Sequence, residues 1–113
     1  MSSQRQEKMN RELAQLFGKF IERESNRTSL ITVTRCDVSP DFKNVIVFLS
    51  VLPTDKEEAV VAFMNRRKWD ARDYVMKNLN TRIIPFVDFK IDAGEKNRIR
   101  ITELLREQNY SEE

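Results

Sequence analysis

The sequence predicts an α+β fold with helices packed on one face of a three-stranded sheet. Three observations carry that reading. Apolar residues recur at steps of three and four from Met9 to Ile21. They alternate at steps of two in three later stretches, and helical spacing returns between the second and third of these. A chain of 113 residues is the size of one compact domain. We place that domain at residues 1–106, with a polar, acidic tail at 107–113.

Each element has its own local cause. Ser3 and Gln6 stand at capping-box spacing, and Met9, Leu13, Leu16, Phe17, Phe20 and Ile21 form the apolar stripe of a long helix behind them. Its outward face, with Arg5, Lys8, Arg11, Glu12 and Lys19, has the mixed charge of a solvated surface. From Leu30 to Val38 the alternation changes parity, Ile31 and Val33 against Cys36 and Val38, so a bulge is expected near Arg35. Ser39-Pro40-Asp41 is a turn, since proline presets one dihedral and aspartate bonds to nearby amides. Lys43 to Leu52 is apolar on both faces, as a central strand should be.

Thr54 and Glu57 suggest a second capping box, opening a helical pattern from Asp55 to about Asn80. Pro85 cannot donate within a sheet and should begin the third strand, where Val87, Phe89 and Ile91 alternate with Asp88, Lys90 and Asp92. Gly94 relaxes the chain, and Ile101, Leu104 and Leu105 suggest a short final helix.

The helical stretch after Thr54 is interrupted in its middle. Val60, Phe63 and Met64 share one face, and Ala71, Val75 and Leu79 resume it, but the intervening turn falls on Arg67 and Lys68. A lone buried cation is too costly for so small a core, so the helix should kink there and expose the turn. The run Asn65 to Arg72 holds four basic residues and an indole. A planar guanidinium fork matches phosphate oxygens and an indole face stacks on bases, which together suit RNA.

Composition narrows the alternatives. The formal charge is +2, and without Glu107, Glu112 and Glu113 it rises to five positive charges on residues 1–106. One cysteine allows no internal disulfide, and MSSQRQEKMN lacks the apolar core of a secretory signal, so a cytoplasmic protein is expected. The longest aliphatic and aromatic run, Val45 to Leu49, is far below the roughly 18 residues of a membrane span. With no histidine, Ser-His-Asp and Cys-His chemistry and the usual zinc nitrogens are excluded. Cys36 reads as a small core residue, while Asp70, Asp73, Asp88 and Asp92 read as solvated carboxylates. We expect no catalytic residue, metal or other cofactor.

The order α-β-β-α-α-β with a short final helix is that of the KH type II fold. KH domains clamp a nucleic-acid backbone with a Gly-x-x-Gly loop between consecutive helices. Neither glycine here, Gly18 or Gly94, lies between those helices. The chain resembles the ribosome-binding factor A family in Arg11-Glu12-Leu13, in VTRCDVSPDFKNVIVFLSV from Val33 to Val51, in RIIPFVDFKID from Arg82 to Asp92, and in RITELL from Arg100 to Leu105. Their shared order and spacing make the match specific.

The resemblance implies a KH type II-like fold with a helix-kink-helix in place of the glycine loop. It also implies a bacterial, non-enzymatic factor that binds the immature 30S subunit and its 16S rRNA, assists late maturation and processing, and then leaves. A link to cold adaptation and an assembly GTPase as a further partner belong to the same expectation, as does a monomeric state. In the family the kink is built on Ala-x-Gly, whereas Arg67-Lys68-Trp69 stands here. Glu95 and Arg98 likewise replace an aliphatic residue and a glycine.

The candidate RNA-binding residues are therefore Arg66, Arg67, Lys68 and Arg72, with Lys77 and Arg82 extending the stripe and Arg11 and Arg35 included on charge and family position. Against this stands an ordinary helix face, with local ion pairs to Asp70 or Asp73. Trp69 either stacks on a base or packs into the core at the kink with its indole nitrogen bonded, and packing is the preferred reading. Two other binding functions compete: a general single-stranded RNA chaperone, and a protein-only adaptor using Ile46 and Phe48 on the sheet face away from the helices.

Overall fold

The computed structural model describes residues 3–25 and 28–94. Helix α1 (Gln4–Glu24) leads into strands β1 (Leu30–Val38) and β2 (Asn44–Leu52). A 3-10 turn (Thr54–Lys56) then precedes α2 (Glu57–Arg66), α3 (Lys68–Asn78) and β3 (Phe86–Ile91). The sheet order is β1-β2-β3, with β1 antiparallel and β3 parallel to the central strand. The α+β, KH type II-like arrangement is as expected. The final helix, the tail, Glu95 and Arg98 lie outside the described residues.

The α1 capping box forms as the sequence predicts. The Gln6 N–H donates to Ser3 Oγ at 3.2 Å, and the Ser3 N–H donates to Gln6 Oε1 at 3.0 Å. The stripe behind it buries Leu13, Phe17, Phe20 and Ile21. They meet Val45, Val47, Leu49 and Val51 of β2, Val87 and Phe89 of β3, and Val60, Met64, Ala71 and Val75 of the later helices. Phe17 and Phe89 pack edge to face with centroids 6.0 Å apart, tying α1 to the far strand.

The first two strands are joined and offset by local devices. The β1–β2 register skips Thr34, passing from Val33 opposite Leu49 to Arg35 opposite Phe48, which is the expected bulge. Downstream the turn is knotted by side chains: Ser39 Oγ donates to Asp41 Oδ1 at 2.6 Å, and the Lys43 N–H donates to the same oxygen at 3.1 Å. Those hydrogen bonds hold the Asp41 carboxyl below its usual pKa.

The second capping box does not form. Pro53 enters in an extended conformation and Thr54 to Lys56 wind into a 3-10 turn, so the residue capping α2 is Lys56, with no side-chain cap bond. Glu57 becomes the first residue of the helix, not the third turn position that a box requires. The third strand begins one residue after Pro85, which is buried just ahead of it.

Both sheet edges are pinned by amide side chains from helices. At the β1 edge, the Val38 N–H donates to Asn10 Oδ1 at 2.8 Å, and Gln6 Nε2 donates to the Val38 carbonyl at 3.2 Å. At the β3 edge one amide serves both groups: the Phe89 N–H donates to Asn65 Oδ1 at 3.0 Å, and Asn65 Nδ2 donates to the Phe89 carbonyl at 3.2 Å. Asn65 mimics a missing strand partner and anchors the last turn of α2, from which Arg66 and Arg67 emerge. Replacing Asn65 by alanine should lower unfolding stability by about 2 kcal/mol, since it strands two part-buried backbone groups. Gly18 sits inside α1 with nothing within 4 Å of where a Cβ would be, so Gly18→Ala should raise stability by about 1 kcal/mol. Urea denaturation of both variants checks both values.

Candidate nucleic-acid interface

The break between α2 and α3 is a single residue. Arg67 closes one helix and opens the next at φ −101° and ψ 12°, in the bridge region that an L-residue reaches without glycine. Its N–H is shared between the carbonyls of Met64 at 3.0 Å and Phe63 at 3.2 Å, and its own carbonyl accepts from Ala71 at 3.0 Å. Both backbone groups of Arg67 are therefore bonded at the bend. The kink forms here without a glycine.

The side chain of Arg67 departs from expectation. The spacing puts it on an exposed turn, yet it is half-buried, with Nη2 2.9 Å from Glu24 Oε2 and Nε 2.9 Å from Asp70 Oδ2. The Glu24 contact is an aligned hydrogen bond, whereas Nε meets Asp70 as a charge contact without hydrogen-bond alignment. The guanidinium carbon also lies 5.9 Å from the Phe63 ring centroid. Arg67 thus joins the end of α1, the last turn of α2 and the first turn of α3. Desolvation favours this placement, because a half-buried guanidinium needs carboxylate partners and Glu24 and Asp70 provide them.

The other candidates are distributed around this strut. Arg66 is exposed on α2, and Lys68 is half-buried with Nζ 5.9 Å from the Trp69 ring centroid. Arg72 is half-buried: Nη2 donates to the Ile84 carbonyl at 3.0 Å, and the guanidinium carbon sits 4.7 Å from the Phe86 centroid. Its buried Nε has no partner among the described residues. Lys77 is exposed and bridges Asp73 at 3.0 Å, one turn away on α3. Arg82 is exposed in the loop beyond. These residues occupy the kink, α3 and the segment leading to β3.

Arg11 and Arg35 are set apart from them. Arg11 is exposed on α1. Arg35 leaves the bulge onto the sheet face away from the helices, its guanidinium carbon 4.0 Å from the Phe48 centroid and its Nε 3.7 Å from Asp92 Oδ2. Phe48 and Ile46 are half-buried, and the Arg35 guanidinium lies over Phe48, so the patch of the adaptor reading is not bare. Asp70 and Asp73 are divided between two ion pairs, with Arg67 and Lys77. Burial pushes the Cys36 thiol up to about 12, leaving no thiolate for nucleophilic chemistry at neutral pH.

Trp69 corrects the preferred packing reading. Its indole stays out of the core with 60% of its surface exposed, touching Phe86 edge to face at 6.1 Å. Sequence reasoning also missed Glu24 and Asn65, which position the kink. Their partners are 43 and 24 residues away, so no local pattern marks them.

A double-mutant cycle on Glu24 and Arg67 should give a coupling of about 1 kcal/mol, the modest value of a partly exposed pair. Denaturant unfolding of Glu24→Gln, Arg67→Met and the double variant measures it.

Comparison with known proteins agrees with this architecture. The ribosome-binding factor A family profile matches residues 2–105. Ribosome-binding factor A of Syntrophomonas wolfei is 30% identical over 113 aligned residues, covering 95% of this chain and 92% of that protein. The crystal structure of ribosome-binding factor A from Thermus thermophilus superposes with a TM-score of 0.69 at 18% identity, over 76% of this chain and 94% of that one. A homology model of the Thermus thermophilus factor, fitted into a cryo-EM map of its complex with the 30S subunit, gives a TM-score of 0.64 at 17% identity, over 72% of this chain and 88% of that one. On the span of the family profile, the chain belongs to the ribosome-binding factor A family.

Proposed function

We propose that this protein is a non-enzymatic assembly factor that binds the immature small ribosomal subunit through its 16S rRNA and assists late maturation. The observation that carries the reading is the bend itself. It turns one guanidinium inward and leaves Arg66 and Lys68, on either side of it, without carboxylate partners among the described residues. The Thermus thermophilus relative placed in a 30S complex supports the choice of particle. Arg72, Lys77 and Arg82 extend the cationic surface along α3 and into the loop beyond it. Arg11 and Arg35 are peripheral to it, and Arg67 serves it by shaping the bend.

Contacts of this kind go to phosphates. They fix orientation on a folded RNA and carry little sequence information, so selectivity would come from the shape of the assembling subunit. The setting in this reading is the cytoplasm and the acting form a monomer. No helix among the described residues is long and apolar enough to cross a membrane.

Co-sedimentation with purified small subunits tests the proposal. Lys68→Glu and Arg66→Glu should each weaken binding roughly tenfold at low salt and reduce the steepness of the salt dependence by about one counterion. Retention indifferent to both substitutions and to salt would remove the electrostatic mechanism.

A further inference from the structure

Two large aromatic side chains stand in solvent beside the cationic bend. Trp69 is 60% exposed and Phe86, from the start of β3, is 52% exposed. Leaving both rings in water forgoes the gain that burial would bring, and the kink is already closed without them by Met64, Ala71 and Arg67. Their geometry is nonetheless defined. The ring planes meet at 86° with centroids 6.1 Å apart, while Arg72 lies 4.7 Å from the Phe86 centroid and is itself tethered to the Ile84 carbonyl. Phe86 therefore packs between a held guanidinium and the indole. Trp69 stays 60% exposed despite the perpendicular contact with Phe86 and Lys68 Nζ over its ring, so the indole keeps an exposed face.

The surroundings of that face are cationic. Lys68 Nζ lies 5.9 Å from the indole centroid and Arg66 is exposed on the preceding helix. The nearest carboxylates on α3 are engaged, Asp70 by Arg67 and Asp73 by Lys77. A flat π surface with Lys68 and Arg66 beside it complements a nucleobase on a phosphate chain better than an apolar protein side chain. Duplex RNA does not match it, because its bases are stacked away inside the helix.

We infer that Trp69, braced by Phe86 and Arg72, is a stacking platform for one unpaired base of ribosomal RNA, next to the phosphate contacts of Arg66 and Lys68. The inference rests on the RNA-binding reading proposed above and adds to it a preference for a single-stranded segment at the bend.

The test uses the full chain and two readouts. Trp69 is the only tryptophan, so its emission reports the site directly. A single-stranded RNA dodecamer should quench it, and a duplex of the same length at equal phosphate concentration should not. In subunit co-sedimentation, Trp69→Phe should bind within about threefold of the parent, while Trp69→Leu, which keeps apolar bulk against Phe86 but lacks a π face, should lose roughly tenfold. Equal quenching by both RNAs, or unchanged binding of Trp69→Leu, overturns the platform. If Trp69→Leu binds normally while Lys68→Glu does not, only the stacking fails. If neither substitution matters, the RNA-binding reading fails as well. Weak binding of Trp69→Leu without quenching by the single strand would mean that the rings meet a ribosomal protein, which also overturns the inference.

Discussion

The arrangement of the candidate surface depends on where one guanidinium goes. Arg67 occupies the turn at which the apolar stripe of the second helical stretch fails, and an unpaired cation there would face the core. Glu24 at the end of α1 and Asp70 in the first turn of α3 take that charge. Asp70 is also well placed electrostatically, because a carboxylate near a helix N-terminus meets the positive end of the helix dipole. Partly exposed pairs of this sort contribute little net stability, so their effect is chiefly geometric. They fix the direction in which α3 leaves α2, and with it the directions in which Arg66 and Lys68 point.

Much of this fold is legible in the sequence because its determinants are local. The α1 stripe, the β-alternation, the parity change that announces a bulge and the Ser39-Pro40-Asp41 turn each rest on neighbouring residues. The break in the helix is legible for the same reason. What becomes of the broken turn is not. Arg67 reads as exposed until Glu24 is brought to it by the packing of α1 against α3, an event that no spacing records. Thr54 misleads for a subtler reason. Its capping pattern is real, but the extended entry at Pro53 lets the chain wind a 3-10 turn first, moving the helix start past it.

Side-chain amides solve a second constraint, that of the sheet edges. With three strands among the described residues, two edges present backbone groups unpaired within the sheet. Asn10 and Gln6 meet the β1 edge at Val38, and Asn65 meets both groups of Phe89 on the β3 edge. Asn65 immediately precedes the basic run, so the same contact that blunts β3 also fixes the last turn of α2. Edge protection and presentation of the cations are therefore one structural feature. On the other sheet face, the Arg35 guanidinium is stacked over Phe48 beside Asp92, so its charge is partly committed within the fold. That commitment separates Arg35 from the cations at the bend.

The triplet Arg67-Lys68-Trp69 sets what the bend offers to RNA in the proposed function. A kink with small residues lets backbone amides approach a ligand closely. Here the Arg67 amide is shared between two carbonyls and its carbonyl is taken by Ala71, so the backbone of Arg67 itself is committed within the fold. In the proposed function, contact falls to long cationic side chains and to an aromatic ring. Such groups reach farther, adapt to an irregular phosphate surface and respond more steeply to salt than a backbone clamp does. The internal pairing of Arg67 therefore separates the geometry of the bend, which it fixes, from the side chains of Arg66, Lys68 and Trp69 presented there.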